Sequence, residues 1–317
     1  MPVPVTPHGL AIVGPTAVGK SDLALELAGR LGCEIVSVDS RQVYRGFDIG
    51  TAKASLAERA LVPHHGIDLV EPEERYSAGR FGRDAARWIA QIRDRERVPL
   101  LVGGTGFFLR ALTHPLFAEP PLPSGPRDAL RSYLEQLSGE QRSRWLYALD
   151  PESARRLARG GGRQRELRAL EVALLSGQPL SHWHAAGTAR AAVPLLVVVL
   201  DLPTEILADR IGRRVERMLA AGLLEEIRGL AERHGTDVPA FGTTGYAEFV
   251  PWLRGGEAVA DAAARLAANT RRLARRQRTW FRHQVAASAL RLDASSGPSA
   301  LTDAVLSRWA RATEGVP

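Results

Sequence analysis

Short apolar runs alternate with amphipathic segments along the first third of the chain. Leu10 to Val13 is an apolar run that ends at a glycine, and Asp22 to Leu31 follows it with leucines on one helical face. The order recurs at Glu34 to Val38 and, after a further amphipathic segment, at Val98 to Val102. Short apolar runs are typical of strands buried on both faces, and repeated strand–helix–strand units form parallel sheets. The pattern predicts an α/β fold with helices on both faces of the sheet.

The pattern changes in the middle of the chain. Residues 118–126 contain four prolines, and segments with helical spacing and many arginines follow them. We predict no strand there until the apolar run from Leu195 to Leu200, and mostly helices after Thr204. The most economical interpretation is a helical insertion domain at residues 116–190, within an α/β core formed by residues 1–115 and 191–317.

Composition narrows the possible classes of protein. The chain has 317 residues, of which 45% are hydrophobic, so extensive disorder is excluded. No apolar run is long enough to cross a bilayer, and we expect no membrane association. Cys33 is the single cysteine, which excludes an intrachain disulfide and a cysteine-cluster zinc site. These features favour a reducing, cytoplasmic location.

Positive charge is concentrated in two stretches. The formal net charge is +7, and residues 265–282 hold seven arginines and no acidic residue. A second group occupies residues 155–168. Concentrated arginine favours a polyanionic partner such as nucleic acid. The alternative is a solvated helix face, which is weakened where no acidic residues are interleaved. The arginines are Arg155, Arg156, Arg159, Arg163, Arg165 and Arg168, then Arg265, Arg271, Arg272, Arg275, Arg276, Arg278 and Arg282.

A phosphate-binding motif follows the first predicted strand. Glycines let the backbone wrap around an anion, and the following helix directs the positive end of its dipole at it. Lys20 adds a full charge, and the Ser21 hydroxyl can ligate Mg²⁺. With its flanking strand and helix, the motif indicates a P-loop-type parallel sheet flanked by helices, and a di- or triphosphate ligand of unspecified identity. It consists of Gly14, Pro15, Thr16, Ala17, Val18, Gly19, Lys20 and Ser21.

Polar residues follow the next two strands. Asp39 ends the second strand, and Thr105 lies in the glycine-rich turn after the third. Because the carboxyl ends of parallel strands line the ligand crevice, both should lie near the phosphate loop. Asp39 is a candidate general base or magnesium partner, and equally a turn cap. Thr105 offers a hydroxyl, or simply belongs to a tight turn.

The segment after the fourth strand supports two hypotheses. Arg210, Arg214 and Arg217 share one helix face, so one or more of them could clamp a diphosphate. The preceding apolar run ends at Asp201, which is similar to the magnesium-binding aspartate of P-loop NTPases. That similarity supports a second hypothesis, a nucleoside or small-molecule kinase. The arginine-rich C-terminal segment argues against the kinase, because a small acceptor does not need an extended basic surface for its binding.

Taken in order, these segments resemble the tRNA dimethylallyltransferase (tRNA isopentenyltransferase) family in its bacterial form. The similarity runs from residue 10 to about residue 283 and is highly specific as a set; Val18 and Arg163 depart slightly from it. The resembling segments are 14–21, 39–44, 48–53, 63–65, 102–106, 164–165, 168–171, 218–226, 245–248, 276–277 and 279–282.

The resemblance implies a reaction. The N6 amine of the adenosine 3′-adjacent to the anticodon attacks C1 of dimethylallyl diphosphate, and diphosphate leaves. It implies Mg²⁺ as a cofactor, Asp39 as the base, Lys20 and one of Arg210 and Arg214 on the diphosphate, and Thr16 and Thr105 at the reacting groups.

The resemblance also implies contacts with tRNA and a base displaced from its stack. We expect a cytoplasmic monomer that contacts the anticodon loop and the RNA backbone. The residues expected at tRNA are Asp39, Ser40, Arg41, Gln42, Thr105, Gln164, Arg165 and Arg168, with Arg275, Arg276 and Arg278 along the backbone.

Overall fold

Strands and helices alternate along the computed structural model, which describes residues 6–114, 116–117, 120, 122–186, 188–190 and 192–314. Within those residues the strands are β1 (Leu10–Val13), β2 (Cys33–Val38), β3 (His64–His65), β4 (Val98–Gly103), β5 (Leu116–Phe117), β6 (Thr188–Arg190), β7 (Leu196–Asp201) and β8 (Leu290–Asp293). The helices are α1 (Lys20–Leu31), α2 (Leu56–Leu61), α3 (Ala78–Asp94), α4 (Gly106–Thr113), α5 (Ser124–Gln136), α6 (Gly139–Leu149), α7 (Pro151–Ala158), α8 (Arg163–Ser176), α9 (Leu180–Ala185), α10 (Thr204–Ala220), α11 (Leu223–His234), α12 (Val250–Leu253), α13 (Val259–Gln284) and α14 (Pro298–Thr313).

The main sheet is parallel throughout and has the strand order β3-β2-β4-β1-β7-β8. Gly103 at the end of β4 is in register with both Val13 of β1 and Val38 of β2. The carboxyl ends of three adjacent strands therefore finish at one level. This confirms the predicted sheet and places the residues that follow each strand side by side.

Side chains of β1 alternate between two apolar cores. Ala11 and Val13 join a core that includes residues of α3, α4, α11 and α13. Leu10 and Ile12 join a second core with residues of α1 and α14. All four strand residues are fully buried, which explains why the sequence is apolar at every position and not at alternate ones. Helices thus cover both faces, as predicted.

Short strands were missed by the sequence pattern. β3 has two residues, and β8 is an edge strand in which leucines alternate with Arg291 and Asp293. The expectation of no strand between the core segments was wrong, because β5 and β6 pair antiparallel. Segments this short carry too few apolar residues to produce a recognisable period.

The chain forms two compact units, the residues up to Thr113 together with those from Val193, and His114–Ala192. The second unit contains α5 to α9 around its own core of leucines, among them Leu134, Leu146 and Leu167. Its bounds lie two residues from those predicted. Residues 115 and 191 and parts of the predicted linker, including 118 and 119, lie outside the described residues. No described helix combines the length and apolarity required to cross a membrane.

Candidate functional site

A cavity of about 1100 Å³ lies at the carboxyl ends of the central strands. The phosphate loop forms one wall, and residues that follow β2 and β4 form another. Arginines of α10 and one glutamine of α13 complete the lining. The structure therefore brings Lys20, Asp39 and the α10 arginines to one site, although the sequence separates them widely.

The phosphate loop is formed around a half-buried lysine. Gly14 has a φ of 152° and a Cβ there would overlap the carbonyl oxygen of Leu200, so only glycine fits. Lys20 Nζ donates a hydrogen bond to the carbonyl of Pro15 at 2.7 Å. Burial, with a smaller contribution from nearby Arg214, lowers the pKa of Lys20 to about 7, although Asp39 opposes the shift. An anion in this loop would restore the charge of the lysine.

Asp39 is held by the residue two positions after it. Its Oδ1 accepts from the backbone N–H of Arg41 at 2.9 Å and from Nε at 3.2 Å, and Oδ2 accepts from Nη2 at 3.0 Å. Burial alone would raise the pKa of Asp39, but the Arg41 guanidinium holds it below its usual value. The carboxylate is therefore ionised in the cavity wall. It caps the turn through the N–H of Arg41 and lines the cavity, and its role as a base or magnesium partner stays a prediction.

The turn after β4 is tied to its neighbours by two polar side chains. Thr105 Oγ1 accepts from the backbone N–H of Ser40 at 3.0 Å, which joins the ends of β4 and β2. Gln277 Oε1 accepts from the N–H of Thr16 at 2.9 Å, and its Nε2 donates to the carbonyl of Gly104 at 2.9 Å. Sequence reasoning missed Gln277 as a site residue. The available signal was an amide on the mostly apolar buried face of α13.

The α10 arginines occupy different positions. Arg210 Nη1 donates to the carbonyl of Val18 at 3.3 Å, directly on the phosphate loop. Arg214 Nη2 donates to the carbonyl of Thr51 at 3.5 Å. Burial lowers the pKa of Arg214 to about 10, with Arg41 as the next contributor. Both arginines line the cavity, as does Arg217.

A loop of residues 48–53 forms a further wall of the cavity. Gln42 Nε2 donates to the carbonyl of Ala52 at 3.0 Å, and its Oε1 accepts from Ser37 Oγ at 2.7 Å. Lys53, fully buried, bonds the carbonyl of Tyr44 at 2.8 Å and pairs with two aspartates. Lys53 was not among the predicted site residues, although it lies in a segment that carries the family resemblance.

Arg278 is paired within the protein. Its Nε lies 2.8 Å from Asp201 Oδ1, and its Nη1 donates to Thr204 Oγ1 at 2.7 Å. The aspartate that suggested a magnesium-binding kinase is thus neutralised by an arginine. Arg275 and Arg276 are exposed, and neither forms an ion pair with the rest of the described chain.

The remaining candidates lie on α8 of the inserted unit. Gln164 accepts from Arg131, Arg165 is exposed, and Arg168 lies 3.7 Å from the buried Glu171. Arg127 also pairs with Glu171, at 3.0 Å. The described part of the chain contains no cluster of three histidine, cysteine or acidic residues suited to a metal.

Comparisons with known proteins agree on one family. A model of the IPP transferase family matches residues 42–284, and an isopentenyl transferase model matches residues 8–61. The tRNA dimethylallyltransferases of Roseiflexus castenholzii and Geobacter metallireducens are each 46% identical over 86% of this chain, and the matches cover 89% and 88% of those proteins.

Solved structures show the same relationship. The tRNA delta(2)-isopentenylpyrophosphate transferase of Staphylococcus epidermidis is 31% identical, with a TM-score of 0.68 over 96% of this chain and 99% of that one. A eukaryotic dimethylallyltransferase acting on tRNA is 27% identical, with a TM-score of 0.76 over 95% of this chain and 75% of that one. The chain belongs to the IPP transferase family, the family of the tRNA dimethylallyltransferases.

Proposed function

We propose that this protein transfers a dimethylallyl group from dimethylallyl diphosphate to N6 of the adenosine 3′-adjacent to the anticodon in tRNA, and releases diphosphate. The observation that carries the proposal is one cavity in which a phosphate loop with a half-buried lysine faces an ionised carboxylate. Family membership supports it, since relatives of this identity are named tRNA dimethylallyltransferase.

The phosphate loop would bind the leaving group. Backbone N–H groups, Lys20, Arg210 and Arg214 would stabilise the charge that develops on diphosphate as the C–O bond breaks. No P–O bond breaks, so the reaction needs no activated water. Two cations close to Lys20 disfavour its charge when the loop holds no anion, and a diphosphate would reverse that effect.

Ser21 is the residue that would hold Mg²⁺. Its hydroxyl is exposed at the start of α1 and forms no hydrogen bond to another described residue. Mg²⁺ in such sites is held by one or two protein oxygens together with phosphate oxygens, so a single free hydroxyl fits it. When bound, the ion supplies charge neutralisation on the diphosphate.

Asp39 would act as the general base. The adenine amine is a weak nucleophile because its lone pair is delocalised into the ring, and a carboxylate that accepts its proton increases the rate by about 10²–10⁴-fold. For this, one oxygen of Asp39 must give up its hydrogen bond from Arg41 and accept one from the adenine amine. Ser40 follows Asp39 directly and is hydrogen-bonded to Thr105. Both residues would contact the target nucleotide.

The remaining predicted residues would hold the RNA. Taking the adenosine out of its stack costs a few kcal/mol, least in an unpaired loop. Arg41 and Gln42 on the core, and Gln164, Arg165 and Arg168 on the inserted unit, would contact the displaced loop. Arg275 and Arg276 would contact phosphates. We expect the protein to work as a cytoplasmic monomer, which size-exclusion chromatography with light scattering would test.

The kinase hypothesis is less well supported. Its magnesium-binding aspartate would be Asp201, and the carboxylate of that residue is paired with Arg278. The preceding residue, Leu200, is apolar and cannot replace Asp201 as a magnesium ligand.

An adduct assay tests the proposal. Purified protein is incubated with unmodified tRNA, Mg²⁺ and dimethylallyl diphosphate, and the digested tRNA is analysed by mass spectrometry. We expect a five-carbon adduct on the adenosine next to the anticodon and none when ATP replaces the diphosphate. No adduct, together with ATP-dependent phosphorylation of a small acceptor, would favour the kinase instead.

A further inference from the structure

Glu226 lies in a pocket of backbone N–H groups at the start of the loop of residues 48–53. Its Oε2 accepts from the N–H of Ile49 at 2.8 Å and of Asp48 at 3.1 Å, and its Oε1 accepts from Gly50 at 3.3 Å. Three consecutive N–H groups that converge on one point form an anion-binding nest, and here the anion belongs to the protein itself. The nest joins α11 to a loop 177 positions away in sequence.

Tyr246 completes this arrangement. Its hydroxyl donates to Glu226 Oε1 at 2.6 Å and accepts from the N–H of Gly50 at 3.1 Å. The ring is fully buried and packs so closely on Gly50 that a Cβ there would overlap it. Burial raises the pKa of Tyr246, and the charge of Glu226 raises it further, so the hydroxyl remains a donor.

The other side of the same loop contacts Arg214, an arginine of α10 that lines the cavity. The carbonyl of Thr51, one residue beyond the nest, accepts from Arg214 Nη2 and from Gln42 Nε2. Arg214 is half-buried beside two other cations, Lys20 and Arg41, which repel it. The Thr51 carbonyl, 3.5 Å from Nη2, and the charge of Asp39 are the groups that offset this repulsion.

We propose that Glu226 is a positioning residue: by fixing residues 48–50 it sets the Thr51 carbonyl and, through it, orients Arg214 for diphosphate. This inference rests on the proposed function, in which Arg214 binds the leaving group. Loss of the carboxylate leaves three N–H groups without a charged acceptor, and the loop shifts. Diphosphate should then bind less tightly, whereas the exposed arginines of α13 remain free to bind tRNA.

Calorimetric titration with inorganic pyrophosphate and Mg²⁺ tests this inference. We expect Glu226→Gln to weaken pyrophosphate binding about 5- to 20-fold, and Tyr246→Phe, which removes one hydroxyl, to weaken it about 2- to 5-fold. The KM for dimethylallyl diphosphate should rise with it, and the Kd for tRNA should not. The matched control is Glu225→Gln, an adjacent residue whose side chain is 71% exposed and pairs only with Arg228 in the described structure.

A double-mutant cycle separates positioning from general destabilisation. In an Arg214→Ala background, Glu226→Gln should have little further effect on pyrophosphate affinity, because the group it orients is absent. An equal loss in both backgrounds, or a lowered Tm with unchanged pyrophosphate affinity, would overturn the inference. Pyrophosphate binding needs no turnover, so these outcomes are independent of whether the adduct assay succeeds.

Discussion

Two ionisable side chains in the cavity, Lys20 and Asp39, have pKa values that are set by their surroundings. Lys20 loses charge at lower pH than an exposed lysine, first because it is buried and then because Arg214 lies near it. Asp39 remains charged although its side chain is largely shielded from solvent, because Arg41 pairs with both of its oxygens. The lysine of the phosphate loop is thus easily deprotonated, whereas the carboxylate in the neighbouring wall stays ionised.

Lys20 predicts proton uptake on binding. Since its pKa is about 7, the lysine is mostly neutral above that pH, and a bound diphosphate favours the charged form. Pyrophosphate binding at about pH 8 should therefore take up a proton, and the contribution of Lys20 to affinity should fall as pH rises through 7. Calorimetry in two buffers of different ionisation enthalpy measures this uptake. Lys20→Met corrects for the ionisation of pyrophosphate itself; equal uptake by that variant would contradict the prediction.

Asp39→Asn separates the base from the cap. The amide keeps Oδ1 as an acceptor for the Arg41 N–H, but it cannot accept the proton of the adenine amine. We expect kcat to fall about 10²–10⁴-fold with the Kd for tRNA nearly unchanged, measured by single-turnover kinetics and filter binding. Near-normal turnover in this variant would assign Asp39 to the turn alone.

At the scale of elements, α13 has two faces with different tasks. Leu266, Ala274 and Phe281 are buried on the core, with Gln277 among them reaching the phosphate loop. The opposite face is exposed and carries arginines that form no ion pair within the described residues, namely Arg271, Arg272, Arg275, Arg276 and Arg282. One helix therefore supports the site and presents positive charge to solvent.

The exposed arginines predict the salt dependence of tRNA binding. Replacing Arg271 and Arg275 by Gln should weaken binding and reduce the slope of log Kd against log salt by about 1 to 2. Arg93→Gln with Arg311→Gln, two exposed positions on other helices, is the matched control. An unchanged slope in the α13 variant would show that these arginines face solvent and do not contact the RNA.

Arg278 should behave differently from its neighbours on α13. Because it pairs with Asp201 and bonds Thr204, Arg278→Gln should lower the Tm and leave the salt slope unchanged. Thermal denaturation and binding at several salt concentrations measure the two effects. A reduced slope at constant Tm would instead place Arg278 on the RNA.

The packing of α13 on the turn after β4 predicts a steric effect. A Cβ at Gly106 would overlap the ring of Trp280, so Gly106→Ala should lower the free energy of unfolding by about 1–3 kcal/mol. Gly29 in α1 is the control, since nothing lies within 4 Å of a Cβ there and alanine should stabilise the helix by about 0.5–1 kcal/mol. Urea denaturation of both variants measures the difference; an unaltered Gly106→Ala protein would show that the contact yields.

At the scale of the whole molecule, the proposed diphosphate site is built from residues of the core unit alone, and the inserted helical unit contributes none to its lining. The N–H of Val193 donates to the carbonyl of Leu112 at 2.7 Å, so the chain leaves and rejoins the core at adjacent points. The insertion has its own leucine core, and the core unit contains every residue that lines the cavity.

Replacing the insertion should therefore preserve pyrophosphate binding and abolish tRNA modification. With residues 114–192 exchanged for a short Gly/Ser linker, we expect a folded core that binds pyrophosphate within about two-fold of the full chain and no longer modifies tRNA. Circular dichroism, calorimetry and the adduct assay measure the three properties. Loss of pyrophosphate binding by a folded core would show that the insertion contributes to that site.

The sequence by itself determined the four central strands of the sheet, the phosphate loop and the neighbourhood of Asp39 and Thr105. Apolar runs and glycine spacing are local signals, and parallel strands necessarily bring their carboxyl ends to one edge. Only the tertiary structure decided the partners of Gln277, Glu226 and Arg278, because each pairs with a residue far away in the chain, up to 261 positions for Gln277. It also decided the pKa of Lys20, since burial and neighbouring charge arise only when distant segments pack together.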